Sequence, residues 1–356
     1  MKIKIVLFIG FFATLNVLQG QSIISKISVQ NKNLIFGSLN KNLYSLSIDS
    51  KKTNWIFNAE TEIYGQSEIK DNKIFFGDGN GLVYCIGADG NQIWQKNLGT
   101  YNAIAYKPVF IDNNLYISSG SSLFILDPRD GSTLGKFYAN APITSPVSTK
   151  DNFLIIADNK GKIYKLSKEV ALIDSYQIAL GAVFGKIIID ENNIFFGSND
   201  SNFYKYSLDE KKIVSSIGTN DWVSSSPVKE GNLIFFGNDG GFFFCLDKNT
   251  MTAKWKFKAN ASIRTEPLIV GDKIFFGSDD KNLYVISKTT GKLIKKFLAK
   301  EKIKSSPTLI ENTIYFADES GEVYAIDTEL KALKSVFKTS GQNADPSKTV
   351  ETVKKN

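Results

Sequence analysis

Residues 265–292 read TEPLIVGDKIFFGSDDKNLYVISKTTGK, and the chain continues LIKKFLAK to residue 300. Four short apolar runs stand out: PLIV, KIFFG, NLYVI and LIKKF. Clusters of Gly, Asp, Asn, Ser, Thr and Lys separate them. Runs of this length between turn residues read as β-strands, because a helix would need a longer stretch with a 3.6-residue period. The phrase LYVI, ending at Ile286, is apolar-aromatic-x-apolar. It recurs as LYSL to Leu46, VYCI to Ile86, LFIL to Leu126, IYKL to Leu166, FYKY to Tyr206, FFCL to Leu246 and VYAI to Ile326. Its aromatic residues are Tyr44, Tyr84, Phe124, Tyr164, Tyr204, Phe244, Tyr284 and Tyr324, and every interval is 40.

Eight units of 40 therefore fill residues 21–340. Four strands per unit at this period is the pattern of a propeller blade. The expected fold is all-β: an eight-bladed β-propeller of four-stranded antiparallel blades. One blade cannot bury both its faces, but blades packed radially cover one another, so the LY-x-L strand can be apolar on both sides. Unit three carries one extra residue before LYIS (115–118) and one fewer in the turn that follows. The fifth residues of the units are Ser25, Gly65, Ala105, Ser145, Gly185, Ser225, Thr265 and Ser305, all small. The third residues, Ile23 to Ile303, are apolar throughout. Small residues are needed where eight innermost strands converge, so the first strand of each unit is expected on the central channel. Pro227, Pro267 and Pro307 share a unit position there, which suits a strand edge that needs no ladder donor.

The chain has 356 residues, 43 Lys+Arg against 36 Asp+Glu, two cysteines and no histidine. Without histidine there is no Ser-His-Asp or Cys-His catalysis and no His-ligated zinc or haem. Two cysteines cannot build a four-thiolate site. Cys85 and Cys245 occupy the same slot of the LY-x-L phrase four blades apart, more than about 20 Å across the ring. They read as free, buried thiols. Residues 1–20, MKIKIVLFIGFFATLNVLQG, carry Lys2 and Lys4 before an apolar run too short for a comfortable span. They read as an export signal, cut after Gly20 or Ser22. No Cys follows, so the expected location is the periplasm or cell envelope without a lipid anchor and without a transmembrane span in the mature chain. From residue 21 onward the balance is 41 minus 36, or +5. Arg129 and Arg264 are the only arginines, too few for a reader of bases or phosphates, so no nucleic-acid partner is expected. The tail GQNADPSKTVETVKKN (341–356) is polar and reads as disordered.

The units resemble the pyrroloquinoline-quinone-like (PQQ-like) propeller repeat. That unit reads roughly Ser-x-Pro, a strand ending in Gly-Ser, a Gly or Asp turn, Leu-Tyr-Ala-Leu-Asp, then Thr-Gly and a Trp-bearing outer strand. The match is clearest in SSPVKEGNLIFFGNDGGFFFCLD (225–247) with Trp255, and in 265–292. The resemblance implies that Trp55, Trp94 and Trp255 dock between blades, with Phe137, Phe297 and Phe337 serving in other units. Quinoprotein enzymes of the family imply a bound quinone, calcium, a vicinal disulfide and a catalytic Asp. No Cys-Cys pair exists here. The acidic turns DGNG (78–81), DNKG (158–161), NDSN (199–202), SDDKN (278–282) and DESG (318–321) have calcium-loop composition but lack the alternating oxygen ligands with a distal Glu. No catalytic, cofactor or metal residue is assigned, and the expected class is a non-enzymatic scaffold.

Exported eight-bladed members of this family include scaffolds of outer-membrane protein assembly, which implies protein partners from that machinery for a monomeric chain. Their partner-binding loops carry an Arg in a Leu-Arg-Gly type segment, and Ile263–Arg264–Thr265–Glu266–Pro267 resembles it. Lys302–Ile303–Lys304 is basic where those scaffolds are acidic, and their anchoring cysteine is missing. The loops from the fourth strand to the next first strand are long and should share a face with the second-to-third turns. Exposed aromatics and arginine are typical interface anchors. The candidate partner-binding residues are therefore Tyr64, Tyr101, Tyr138, Phe184, Trp222, Arg264 and Lys304. Two other readings are a quinoprotein enzyme, and a carbohydrate-binding module using Tyr64, Tyr101 and Trp222.

Overall fold

Each 40-residue unit folds onto itself as one antiparallel sheet whose spatial order is its chain order, and there are eight such sheets. In the computed structural model, which describes residues 22–99, 102–339 and 349–350, the fold is the expected eight-bladed propeller. The first blade is built from Ser28–Gln30, Asn33–Gly37, Asn42–Ser47 and Thr53–Asn58. The eighth is built from Thr308–Ile310, Thr313–Ala317, Glu322–Asp327 and Lys334–Lys338. No helix among the described residues is long and apolar enough to cross a membrane. Residues 1–20, expected to be an export signal, and most of the tail lie outside the described residues. Of the tail, which was expected to be disordered, Thr349–Val350 lie parallel to the outer strand of blade 1, opposite Ile56 and Phe57.

The ring closes without exchanging a strand. Ile23 N–H donates to the Asp318 carbonyl (3.3 Å), Ser22 Oγ to the Glu319 carbonyl (2.7 Å) and Thr308 Oγ1 to the Ile27 carbonyl (3.1 Å). Ile23, Ile27, Phe36 and Tyr44 of blade 1 share one core with Tyr315, Ala317 and Phe337 of blade 8. The first of these bonds recurs at the other junctions except that of blades 4 and 5. Ile63 N–H reaches Ser38, Ile263 reaches Asn238 and Ile303 reaches Ser278. The third residue of each unit thus crosses to the preceding blade and buries its side chain there.

That crossing explains the glycine ending the IFFG strands. A Cβ on Gly37 would stand 2.2 Å from Ile63 Cγ2, one on Gly197 2.1 Å from Val223 Cγ1, and one on Gly277 2.3 Å from Ile303 Cγ2. The glycine provides space, so the repeat's third and seventeenth residues are one constraint. Gly77 is covered by Ile104 in the same way, and Ile104 N–H bonds the Asp78 carbonyl (2.9 Å). This corrects the alignment of unit three. The extra residue precedes 104, so Ile104 and not Ala103 is the buried third residue, and Tyr106 follows where the other units are small. The Tyr106 hydroxyl donates to the Thr144 carbonyl of the next blade. Elsewhere the expected crowding holds: a Cβ on Gly185 would lie 2.3 Å from the Ser225 carbonyl oxygen.

The LY-x-L tyrosines tie neighbouring blades. Tyr84 Oη accepts the Glu60 N–H of the preceding blade's exit loop (3.0 Å) and donates to Asp78 Oδ2 of its own blade (3.2 Å). Tyr164 does so with Asn140 and Asp158, and Tyr324 with Lys300 and Asp318. Burial, which disfavours the phenolate, pushes the Tyr164 hydroxyl up to about 12. Asp78 Oδ1 also accepts the Asn80 and Leu82 N–H groups (3.0 Å each), so the acidic turns use their carboxylates internally. Substituting Tyr84→Phe leaves the Glu60 N–H without that partner and should destabilise by about 1–3 kcal/mol in urea melts. Tyr44→Phe, whose hydroxyl accepts from the Asn40 and Asn42 side chains of its own turn as its partners among the described residues, should cost less.

Between blades, on the outer half, each junction has one slot. Two positions face it: one on the outer strand of a blade, and one with positive φ in the third-to-fourth turn of the next. Trp55, Trp94 and Trp255 fill three slots, donating Nε1–H to the carbonyls of Ala88 (2.9 Å), Pro128 (3.1 Å) and Lys288 (3.0 Å). The facing turn residues are Gly90, Gly131 and Gly291 (φ 87°, 74° and 69°), where a Cβ would come within 2.8 Å of the indole. Phe137, Phe297 and Phe337 do not take the tryptophan position. They pair with Leu123, Leu283 and Val323, as Phe57 does with Leu43, two residues further along the strand. Where the tryptophan is missing, the facing turn supplies the filler: Val170 against Gly135, Met251 in one core with Phe195 and Phe203 of the preceding blade, and Leu330 beside Lys295. Asp174 and Lys211 close another slot with an ion pair at 2.6 Å.

Cys85 and Cys245 are free and buried. Desolvation pushes each thiol up to about 12, which suppresses the thiolate.

Candidate functional site

The exit loops and the second-to-third turns do share a face. Gly79 N–H bonds the Glu62 carbonyl (2.8 Å), Asp239 the Trp222 carbonyl (2.8 Å), Asp279 the Ser262 carbonyl (2.9 Å) and Glu319 the Lys302 carbonyl (2.9 Å). These bonds hold each loop flat against a turn of its own blade. The fourth residue of the unit is then carried to the gap between two such turns, one on its own blade and one on the blade before.

Tyr64 lies over Gly79, where a Cβ would meet its ring at 2.8 Å. Burial first, and Glu62 second, raise its hydroxyl above the ordinary tyrosine value. Ser224 Oγ donates to Asn199 Oδ1 (3.3 Å). Arg264 makes the fullest use of the position. Its Nε donates to both carboxylate oxygens of Asp239 (3.1 Å each), Nη2 to Asp239 Oδ2 (3.0 Å) and Nη1 to Asp279 Oδ2 (2.7 Å). Planar bidentate pairing of this kind is strong because each donor and acceptor is charged. It latches blade 6 to blade 7. Both aspartates are deeply buried, and desolvation raises their pKa values despite the guanidinium. Lys304 repeats the geometry with Glu319 (2.6 Å). Arg264 and Lys304, expected as anchors for a partner, are thus engaged within the ring, and the Arg264 side chain is only 27% exposed.

The aromatic candidates divide. Phe184, like Tyr64, is partly buried. Trp222 is 46% exposed in the loop between blades 5 and 6. Tyr138 is 68% exposed, but it ends the outer strand Thr133–Tyr138, so it stands on the rim of the same face. Lys136 Nζ sits 4.2 Å from its ring centroid. Tyr101 lies outside the described residues.

Leu180 and Leu298 were missed. Leu180 is 91% exposed in the loop between blades 4 and 5, its N–H held by Asp200 Oδ2 (2.8 Å). Leu298 ends an outer strand as Tyr138 does. The repeat itself carried the signal: Glu60, Asn140, Asn220, Asn260 and Lys300 stand at the position of Leu180. A leucine that is 91% exposed where sister units are polar is not accounted for by blade packing. Tyr138, Leu180 and Trp222 put one exposed apolar side chain on each of three successive junctions of one face. Rigid backbone carrying such residues is what a protein interface needs.

No curated protein sequence matches the chain. The crystal structure of BamB from Moraxella catarrhalis is similar in fold, with TM-score 0.73 and 16% identity over 88% of this chain and 98% of that one. The computationally designed Ika8 protein is similar too, with TM-score 0.74 and 15% identity over 86% of this chain and 96% of that one. The sequence profile described as outer membrane protein assembly factor BamB matches residues 39–226 and 212–330. Matching across most of the repeat region, on a ring of eight PQQ-like blades, the chain belongs to the BamB family.

Proposed function

We propose that this chain is an exported, non-enzymatic scaffold that binds protein partners of outer-membrane protein assembly, as a monomer in the periplasm or cell envelope. The observation that carries the reading is the apolar arc of Tyr138, Leu180 and Trp222 on the face of the exit loops. Tyr64, Phe184, Arg264 and Lys304 give that face its shape. Membership of the BamB family supports the choice of partner.

The test places a photo-crosslinking amino acid at position 180 or 222 and, as a control, at the outer-strand position 213. Outer-membrane assembly proteins should be captured from 180 and 222 and not from 213. Trp222→Ala should weaken that association by about thirtyfold, the effect of losing an interface anchor of about 2 kcal/mol. Unrelated partners, or capture from 213 alone, would remove the proposal. A stoichiometric chromophore after addition of quinone and calcium would favour the quinoprotein reading instead. Glycan binding lost in Trp222→Ala would favour the carbohydrate one.

A further inference from the structure

Seven of the eight junction slots are complementary: indole on glycine three times, an aliphatic side chain from the turn three times, and Asp174 on Lys211 once. The eighth, between blades 8 and 1, is not. The outer-strand position is Lys334, paired opposite Ala325, and the facing turn position is Lys51, with φ 55°. Two cations face one slot, and neither ammonium has an ion-pair partner among the described residues. The outer strand of blade 8 also begins late, at Lys334, and its register shift lies at Val323/Tyr324, nearer the strand's other end than in its sister blades. The slot is left open as a cavity of about 180 Å³.

The walls define the occupant. Leu34, Leu46, Ile48, Ala325 and Val336 make an apolar floor. Tyr315 and Thr313 add hydroxyls, and Lys51 and Lys334 stand at the rim with Asp327. Two lysines against one aspartate leave the rim with net positive charge, and one oxygen of Asp327 already accepts the Lys331 N–H (3.1 Å). A cavity of roughly 150 Å³ accepts benzene, so this one takes a single aromatic ring system. Ile48 stands in the turn where Ala88, Pro128 and Lys288 stand, the residues whose carbonyls accept an indole N–H in the sister slots. We propose that the seam slot is a binding site for a small aromatic carboxylate, its ring in the position a tryptophan takes elsewhere and its carboxylate between Lys51 and Lys334. Lysine stems lining apolar surface with their ammonium groups at the solvent edge suit such an amphiphile.

Calorimetric titration of the full chain with indole-3-acetate, indole-3-acetamide and tryptamine tests this. The acetate should bind saturably, one per chain, at least about tenfold tighter than the isosteric amide, with tryptamine weaker still. Its affinity should fall with added salt, as a screened charge contact requires. Lys51→Gly combined with Lys334→Trp rebuilds the sister arrangement, and should abolish binding while raising the thermal midpoint. Lys51→Gln with Lys334→Gln, which leaves the cavity open, should bind acetate and amide alike. Absence of saturable acetate binding at millimolar concentration by the native chain overturns the proposal. So does equal affinity for acetate and amide, or unchanged binding in the rebuilt slot.

Discussion

Trp94→Ala is expected to lower the free energy of unfolding by about 3–5 kcal/mol, the range for removing a large buried aromatic. The indole fills the slot between blades 2 and 3. It packs beside Phe75, centroids 6.0 Å apart, lies over Gly131 and donates to the Pro128 carbonyl. Nothing nearby can collapse into the space, because the slot walls are two hydrogen-bonded sheets. The partner experiment is Gly131→Ala. Its added Cβ would stand 2.8 Å from Trp94 Cε3, and φ there is +74°, a conformation costly for any residue with a Cβ. In the Trp94→Ala background the steric part of that cost disappears and only the backbone part, about 1–2 kcal/mol, remains. A double-mutant cycle by urea denaturation should therefore show strong coupling. Additive effects would mean that the tryptophan and the glycine do not form one unit.

Arg264→Ala is expected to cost about 2–4 kcal/mol near neutral pH. Removing one member of a buried ion pair costs more than the pair contributes, because the remaining charges keep their desolvation penalty. The partial exposure of Arg264 places the estimate below the range for fully buried pairs. Two carboxylates, Asp239 and Asp279, would remain on the seam of blades 6 and 7. Their pKa values are raised by burial even with the guanidinium present, and losing it raises them further. A carboxyl whose pKa rises on folding binds its proton more tightly in the folded state. That contribution is complete below about pH 4 and is lost as pH rises through the folded-state value. The deficit of Arg264→Ala relative to the native chain should therefore be largest at neutrality and shrink in acid. Denaturation curves at pH 7.5 and 4.5 check this, and a deficit that grows on acidification would contradict it. Because the latch sits under the exit-loop face, the variant should also loosen the loop carrying Ser262 and Arg264.

The two expectations differ in how far they could be drawn from sequence. Trp94 and the glycine of the next third-to-fourth turn recur together in the repeat, so their partnership is visible once the units are stacked. Arg264 and Asp239 are 25 residues apart in different units, and the repeat gives no hint that the fourth residue reaches the preceding blade. Read as an arginine in a loop, Arg264 looks available to a partner, and only the fold reveals two aspartates around it. The slip in unit three shows the same limit at smaller scale. Counting in forties assigns Ala103 to the buried position, whereas the need to cover Gly77 selects Ile104. Phe137, Phe297 and Phe337 were given the tryptophan's role by the family resemblance, and strand register moved them by two residues.

Periodicity carried the architecture in the amino-acid order alone. A 40-residue repeat with four turn-bounded apolar runs cannot bury both faces of its sheets except by stacking like units around an axis. The absence of histidine, and a single pair of distant cysteines, likewise removed histidine-dependent catalysis and four-thiolate sites without coordinates. What only the tertiary structure decided lies between units. Which polar groups are spent on neighbouring blades, which exposed side chains fall on one face, and which of eight equivalent slots is left unfilled all depend on contacts across blade boundaries. Those contacts join residues far apart in the chain, and a local pattern holds no record of them.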